Sequence, residues 1–334
     1  MTSVNVTVSG AGSLFGQGIV KALRMEGSAL DLSIAGLDYF DTAIGFRWCD
    51  NWAILPDYLS DKVSEDEWFD NLCKQIKLSK SQYLFVGADF ELLPIAKRAE
   101  ELKDRTGCTA IVSPKAVVNI CKDKFETARV MQSSGLSAPL SFLPEEADKA
   151  VDLLGFPMLV KPRFGARSRG VVVVRCLTEL TKALADSELP VIQEYLPEDD
   201  QEYSCGVVWL DEKIDSVCVL RRRLRDGNTS VAYSEPAPEV ESYCVEIAKA
   251  LKPFGPLNVQ LRLKNGKPYV FEINPRFSGT TVFRAHFGIN EPQRILSRLC
   301  GLDVPSLPVA KNGRIIRYFD EIVELTPNNR EFQD

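Results

Sequence analysis

The chain has 334 residues, 45% apolar and 26% charged, with a formal net charge of −6 at pH 7 and a single histidine. These fractions are ordinary for a globular protein, and the length calls for two or three lobes, since one core seldom grows past roughly 250–300 residues. The acidic balance argues against nonspecific nucleic-acid binding, and no apolar run nears the roughly 20 residues of a membrane span. The opening Met-Thr-Ser-Val-Asn-Val has neither the basic nor the apolar stretch of a signal peptide. Nine scattered cysteines, none in a Cys-x-x-Cys pair, fit a reducing cytoplasm and no zinc site.

The first predicted element is a strand from Val4 to Val8. Gly10-Ala-Gly12-Ser-Leu-Phe-Gly16-Gln-Gly18 then turns the chain into a helix ending near Met25, and a second strand, Leu32 to Leu37, is followed by Asp38. A glycine-rich turn with an acid roughly 20 residues on outlines a dinucleotide-binding unit. The spacing is Gly-x-Gly-x-x-x-Gly, one residue longer than that fingerprint, and the same glycines serve simply to bring strand and helix together. Tyr83 to Val86 is the next strand, with Asp89 and Glu91 at its C-terminal end, where open α/β sheets bind ligands. They are candidate contacts for an amine-bearing substrate; the alternative is that they cap the helix that follows, to about Arg105. Ala110-Ile-Val closes this unit. Ser113 is expected to cap the next helix, with Pro114 at its first position. That helix is expected to run to about Ser134 and to contain Lys124, with Gly135 and Pro139 breaking it. Residues 145–154 read as another helix.

Met158-Leu-Val-Lys161 reads as an apolar strand ending in a lysine. The loop Pro162-Arg163-Phe-Gly165-Ala-Arg167-Ser-Arg169-Gly170 separates it from a second strand, Val171 to Val174. Backbone amides of such a loop, with Arg and Lys, can cradle phosphates, although this is not a Gly-Lys-Ser/Thr phosphate loop. The plain alternative is a basic surface turn. Val191 to Leu196 is a strand whose edge offers backbone groups to a purine, with Glu202 available for ribose hydroxyls. Asn258-Val-Gln260-Leu-Arg262 and Tyr269-Val-Phe-Glu272-Ile-Asn274 are strands joined by Lys264-Asn-Gly266-Lys267, a hairpin signal. Side chains alternate along a strand. Glu272 and Asn274 therefore share a face, Phe271 and Ile273 point into apolar packing, and Gln260 stands on the strand beside Glu272. A carboxylate with carboxamide oxygens suits Mg²⁺, which takes carboxylates together with substrate phosphates. Pro275 ends the ladder, and Arg276 suits charge developing on a transferred phosphoryl group. His286 is read as a structural helical residue.

In this order the parts resemble the ATP-grasp superfamily, particularly the branch that looks like the synthetase subunit of carbamoyl-phosphate synthetase and biotin carboxylase, over roughly Val4 to Leu302. The resemblance implies an α/β fold with an N-terminal Rossmann-like domain (1–112), an ATP-grasp small lobe with linker helices (113–190), and a large lobe with a C-terminal extension (191–334). It implies ATP and Mg²⁺, with Mn²⁺ as an alternative. Lys124 and Lys161 then match the lysines on the phosphates, Arg163 to Gly170 the lid with Arg169 as a catalytic arginine, and Gln193, Glu194, Tyr195 and Leu196 the adenine hinge. Glu202 matches the ribose acid, Gln260, Glu272 and Asn274 the metal ligands, and Arg276 the arginine on the acyl-phosphate transition state. Gln193 and Gln260 depart from the acids common at those positions. Within this frame Arg222, from the run Arg221 to Arg223, and Arg284 join Asp89 and Glu91 as substrate candidates. The implied activity is an ADP-forming, cytoplasmic carboxylate–amine ligase with small-molecule substrates, neither nucleic acid nor membrane as partner, and a homodimer left open. A bicarbonate-dependent carbamoyl- or carboxy-phosphate former and a nonenzymatic nucleotide-binding module stand as alternatives. A Rossmann oxidoreductase would leave Glu272 to Arg276 unexplained.

Overall fold

The computed structural model describes residues 2–323 except 28, 166–169, 198–200 and 306. Strand β1 (Thr2–Ser9), helix α1 (Leu14–Leu23), strands β2 (Leu30–Asp38) and β3 (Asn51–Ile54) and helix α2 (Glu65–Ser79) open the chain. Strand β4 (Tyr83–Val86), helices α3 (Leu92–Lys97) and α4 (Ala99–Thr106) and strand β5 (Thr109–Ile111) complete a parallel sheet ordered β3-β2-β1-β4-β5. Central β1 is buried on both faces, as parallel strands covered by helices are, which is why Val4, Val6 and Val8 meet no solvent.

The glycine-rich turn after β1 is explained by close packing. A Cβ on Gly16 would lie 2.1 Å from the Gly10 carbonyl oxygen, so α1 sits against the turn only because Gly16 has none. Ser13 caps α1, its hydroxyl accepting from the Phe15 and Gly16 N–H groups. The Asp38 carboxylate accepts from the backbone of Gly12 and Tyr39, both at 2.7 Å, so the acid after β2 braces the turn.

The helix expected through Lys124 is two helices, α5 (Lys115–Lys122) and α6 (Lys124–Ser133). Asp123, in an extended conformation, breaks them and caps α6 by accepting from Phe125 and Glu126. Ser113 does not cap α5. Its hydroxyl bonds both the carbonyl and the N–H of Phe254, tying the end of the first unit to the last sheet.

Strand β6 (Ser141–Phe142), helix α7 (Ala147–Leu154), strands β7 (Met158–Pro162) and β8 (Val172–Val174), helix α8 (Leu177–Asp186) and strand β9 (Pro190–Glu194) form the small lobe. Its antiparallel sheet has the order β6-β9-β7-β8, so this sheet extends past residue 190 to Glu194. Phe142, Met158, Val160, Leu180 and Ile192 pack beneath it.

The large lobe contains strands β10 (Glu202–Leu210), β11 (Lys213–Arg225) and β12 (Asn228–Ser234), helix α9 (Pro238–Leu251) and strands β13 (Gly255–Lys264) and β14 (Lys267–Asn274). Helices α10 (Thr281–His286) and α11 (Glu291–Leu299) and strand β15 (Gly313–Ile316) follow, and the sheet order is β14-β13-β10-β11-β12-β15. One face packs Tyr203, Cys205, Val207, Leu257, Val259 and Leu261 against α9 and α6. The alternate residues Glu202, Ser204, Asn258, Gln260 and Arg262 make the opposite face polar. Asn265 and Gly266 both adopt positive φ, the two-residue turn that the Asn-Gly pair predicts.

The β13–β14 ladder is not regular. Gln260 pairs with Glu272 and Leu261 with Val270, which leaves Phe271 as an extra residue in a bulge. Val270 and Ile273 therefore enter the core, and Phe271, expected there, is only half-buried and turns toward the cavities beside Glu272.

Candidate active site

A cavity of about 320 Å³ lies between the small-lobe sheet and the β13–β14 hairpin. β7 carries Lys161 into its wall, the start of α6 carries Lys124, and β9 with the residues after it carries Gln193, Glu194, Tyr195 and Leu196. Leu159, Val173 and Phe164 supply apolar surface. Lys161 is 5% exposed. Burial, with the Lys124 charge behind it, pushes its pKa down to about 7, while Glu272 opposes the shift. Burial also lowers the Lys124 ammonium, again opposed by Glu272. The Lys124 ammonium donates to the Gly165 carbonyl at 2.8 Å, anchoring the start of the basic loop. Arg163 ties the same loop to Asp123. Arg169 lies outside the described residues.

The Gln193 and Glu194 side chains are engaged structurally. Gln193 donates to the Ser141 hydroxyl at 2.8 Å, and Glu194 accepts from the Leu140 N–H and from Lys264.

A second cavity, of about 240 Å³, shares Arg262, Phe271 and Glu272 with the first. Its other walls come from Ser13 and Phe15 of the N-terminal unit, Asp89 after β4, and the polar face of the large sheet. Glu272 accepts from Asn274 at 2.9 Å, so the two share a face. Gln260 pairs with Glu272 across the ladder, and its oxygen accepts from Arg222 at 2.7 Å. Among the described residues no group of three or more His, Cys, Asp and Glu could hold a metal, so a cation at Glu272 needs carboxamide oxygens as well.

Glu202 belongs to the second cavity, not to the wall of the first. Burial works against its charge, yet Arg222 and Arg262 hold its carboxyl below the usual carboxylate range. Four N–H groups of these arginines meet its two oxygens, and a ribose hydroxyl would have to displace one.

Arg276 is nearly buried and is held from the N-terminal side. Its Nε donates to Asp89 at 2.5 Å, its Nη1 donates to the Phe277 carbonyl at 3.0 Å, and its Cζ lies 3.9 Å from the Phe15 ring centre. Of the substrate candidates, Asp89 and Arg222 line this cavity. Glu91 and Arg284 do not. Glu91 is fully buried, accepts from Ser9 and Tyr39, and is pushed up to about 7 by burial. Arg284 is 1% exposed and pairs with Glu291 at 2.7 Å beneath the sheet. Arg262 was legible as a neighbour of Gln260 by alternation. Phe15 and Arg317, both cavity residues, come from distant segments and carried no local signal.

Residues 187–322 match a family model described as ATP-grasp in the biosynthetic pathway with Ter operon. The match falls on the end of the small lobe and on the large lobe, and it is to an ATP-grasp domain. The carbamoyl phosphate synthase large chain of Pseudothermotoga lettingae is 28% identical over 247 residues, 64% of this chain and 22% of that protein. The chain thus spans less than a quarter of the length of that curated relative. A solved ADP complex of purK, N5-carboxyaminoimidazole ribonucleotide synthetase, superposes with a TM-score of 0.74 at 16% identity, covering 95% of this chain and 82% of that one. An L-amino acid ligase from Bacillus licheniformis gives 0.67 at 20% identity, covering 89% and 74%. At these identities the structural likeness is one of fold. The ATP-grasp match takes in Glu202, Gln260, Glu272, Asn274 and Arg276; Lys124 and Lys161 precede it.

Proposed function

We propose that the chain is an ATP-dependent, ADP-forming ligase that activates a substrate carboxylate as an acyl phosphate and joins it to an amine. The observation that carries this reading is the shared wall of the two cavities. Glu272 borders both the lysine-lined cavity and the polar one, so a nucleotide in the first presents its terminal phosphate to a substrate in the second. Two desolvated ammonium groups with one carboxylate between them favour a polyanion.

The nucleotide lies with its base against the backbone of Glu194 and Leu196 and its phosphates at Lys124 and Lys161. One carboxylate and two carboxamides fit Mg²⁺ that keeps phosphate oxygens as further ligands. When bound, the ion would supply charge neutralisation between the phosphates. Asn274 would turn its amide to present oxygen in place of the N–H that now meets Glu272, and Gln260 would release Arg222.

The substrate carboxylate attacks the γ-phosphorus and ADP leaves. Lys161 and Arg276 stabilise the charge spread over the transferring oxygens. The amine then attacks the acyl carbon, phosphate leaves, and the amine loses a proton. Arg222 and Asp89 line the substrate cavity and orient the two reactants.

The test is ADP and phosphate release by the full chain with Mg·ATP, across amino acids, dipeptides, sugar acids and bicarbonate. Bicarbonate is included because of the carbamoyl phosphate synthase likeness. Turnover that requires a carboxylate and an amine together, with ¹⁸O passing from the carboxylate into phosphate, is expected. Release of AMP and pyrophosphate would overturn the acyl-phosphate route.

A further inference from the structure

The second cavity holds a cation that the ligase reading leaves unused. Arg317 follows β15, which pairs with β12, and its own N–H donates to the Ser230 carbonyl at 2.8 Å, so its backbone is fixed beside the cavity. Its Nη2 donates to the Gly279 carbonyl, and its Cζ lies 4.7 Å from the Phe283 ring centre. The guanidinium plane is thereby set. Nη1 is shut off from bulk water and bonds nothing. Elsewhere on the cavity wall, Arg222 and Arg262 bond Glu202, and Arg276 bonds Asp89. Arg317 is paired with no carboxylate among the described residues, and burial lowers its pKa. Lys21, on α1, is lowered by burial and then by the Arg317 charge, so a second cation stands near this guanidinium. A desolvated guanidinium with an unused donor is unfavourable unless an acceptor fills it, and its fork suits carboxylate or phosphate oxygens.

We propose that Arg317 recognises an anionic group, carboxylate or phosphate, that the substrate carries away from its reacting carboxylate. This rests on the ligase reading for the identity of the cavity. Arg276 and Glu272 stand where the transferred phosphate arrives. Arg317 instead meets the chain at Gly279, past Ser278. Its partner is therefore a second group, and the substrate class is a dicarboxylic or phosphorylated acid, not a simple monocarboxylic one.

The test uses thermal melts of the full chain under saturating Mg·AMP-PNP, which occupies the nucleotide phosphate positions. Glutarate, inorganic phosphate and butanoate, as the monoanion, are titrated separately. Glutarate or phosphate is expected to raise the melting temperature saturably by about 2 °C or more, and butanoate to leave it unchanged. A rise with glutarate alone assigns a carboxylate, and with phosphate alone a phosphoryl group. Arg317→Met should abolish the rise while keeping the stabilisation by Mg·AMP-PNP, and Arg317→Lys should retain part of it. Arg317→Gln serves if the Met variant does not fold. No rise in the wild type, or an equal rise in Arg317→Met, overturns the proposal. If Mg·AMP-PNP itself fails to stabilise the wild type, the ligase reading falls, and the same titrations without nucleotide still decide the role of Arg317.

Discussion

Lys161 is the residue whose environment says most about chemistry. Its pKa lies at about 7 against an ordinary 10.5 because burial disfavours the ammonium. Between those values the unfolded chain holds a proton that the native state has released, so this group makes ligand-free stability rise with pH from about 7 to 10.5. Lys161→Met should remove that slope, read as the difference between wild-type and variant urea midpoints at pH 7, 8 and 9. A difference that does not grow with pH would contradict the burial argument. Bound phosphates restore the charge, so Mg·AMP-PNP binding at pH 8 should take up about one proton, measured by calorimetry in buffers of different ionisation enthalpy. Glu272 has the opposite character: half-buried, bonded to Asn274, and on the wall of both cavities. Glu272→Gln should lower turnover by roughly 100-fold or more at saturating Mg²⁺ with an unchanged circular dichroism spectrum. Near-wild-type turnover would remove Glu272 from the site.

At the scale of elements, the junction of β10 with α10 and α11 has little room for change. Arg284 and Glu291 form a fully buried pair, with Thr280, Thr281 and Ser278 completing the arginine's bonds. They fit under β10 because residue 206 has no side chain. A Cβ there would sit 1.9 Å from Glu291 Oε1 and 2.2 Å from Arg284 Nε. Gly206→Ala should cost about 3 kcal/mol or more in chemical denaturation, since it pries apart a desolvated pair. An Arg in an otherwise plausible helix reads as a substrate contact from sequence. Only the neighbouring helix and the missing side chain on a distant strand show that it is internal. The β14 bulge makes the same point. Strict alternation puts Phe271 in the core, and one extra residue in the ladder turns it outward. Alternation still placed Glu272, Asn274 and Gln260 correctly relative to one another, because the bulge falls before Glu272.

Across the whole molecule, the N-terminal unit reaches the cavity through Asp89, 187 residues before Arg276 in sequence, and through Phe15 on α1, and both hold the Arg276 guanidinium. In the proposed reaction this gives the first unit the task of orienting Arg276. Asp89→Asn should lower kcat by about 10-fold and leave the ATP KM unchanged, because it loosens the orientation of Arg276 and touches nothing in the lysine-lined cavity. A change in ATP KM with kcat preserved would place Asp89 with the nucleotide instead. No helix of the described residues is long and apolar enough to cross a membrane.

The sequence by itself determined the strand carrying Glu272 and Asn274, the Asn-Gly turn that brings Gln260 beside them, and the order of Lys124, Lys161 and the β9 hinge. Those features depend on neighbours within a few residues, where alternation and turn chemistry act. Tertiary structure alone decided that Asp38 braces its own glycine turn, that Glu202 is filled by two arginines, that Glu91 and Arg284 are internal, and that Arg317 lines a cavity with no carboxylate partner among the described residues. Asp38 meets Gly12, Glu91 meets Ser9, and Glu202 meets Arg222 and Arg262 across 20 or more residues, while Arg284 and Glu291 are seven apart but are sealed in by Gly206 of β10; no local periodicity encodes such packing.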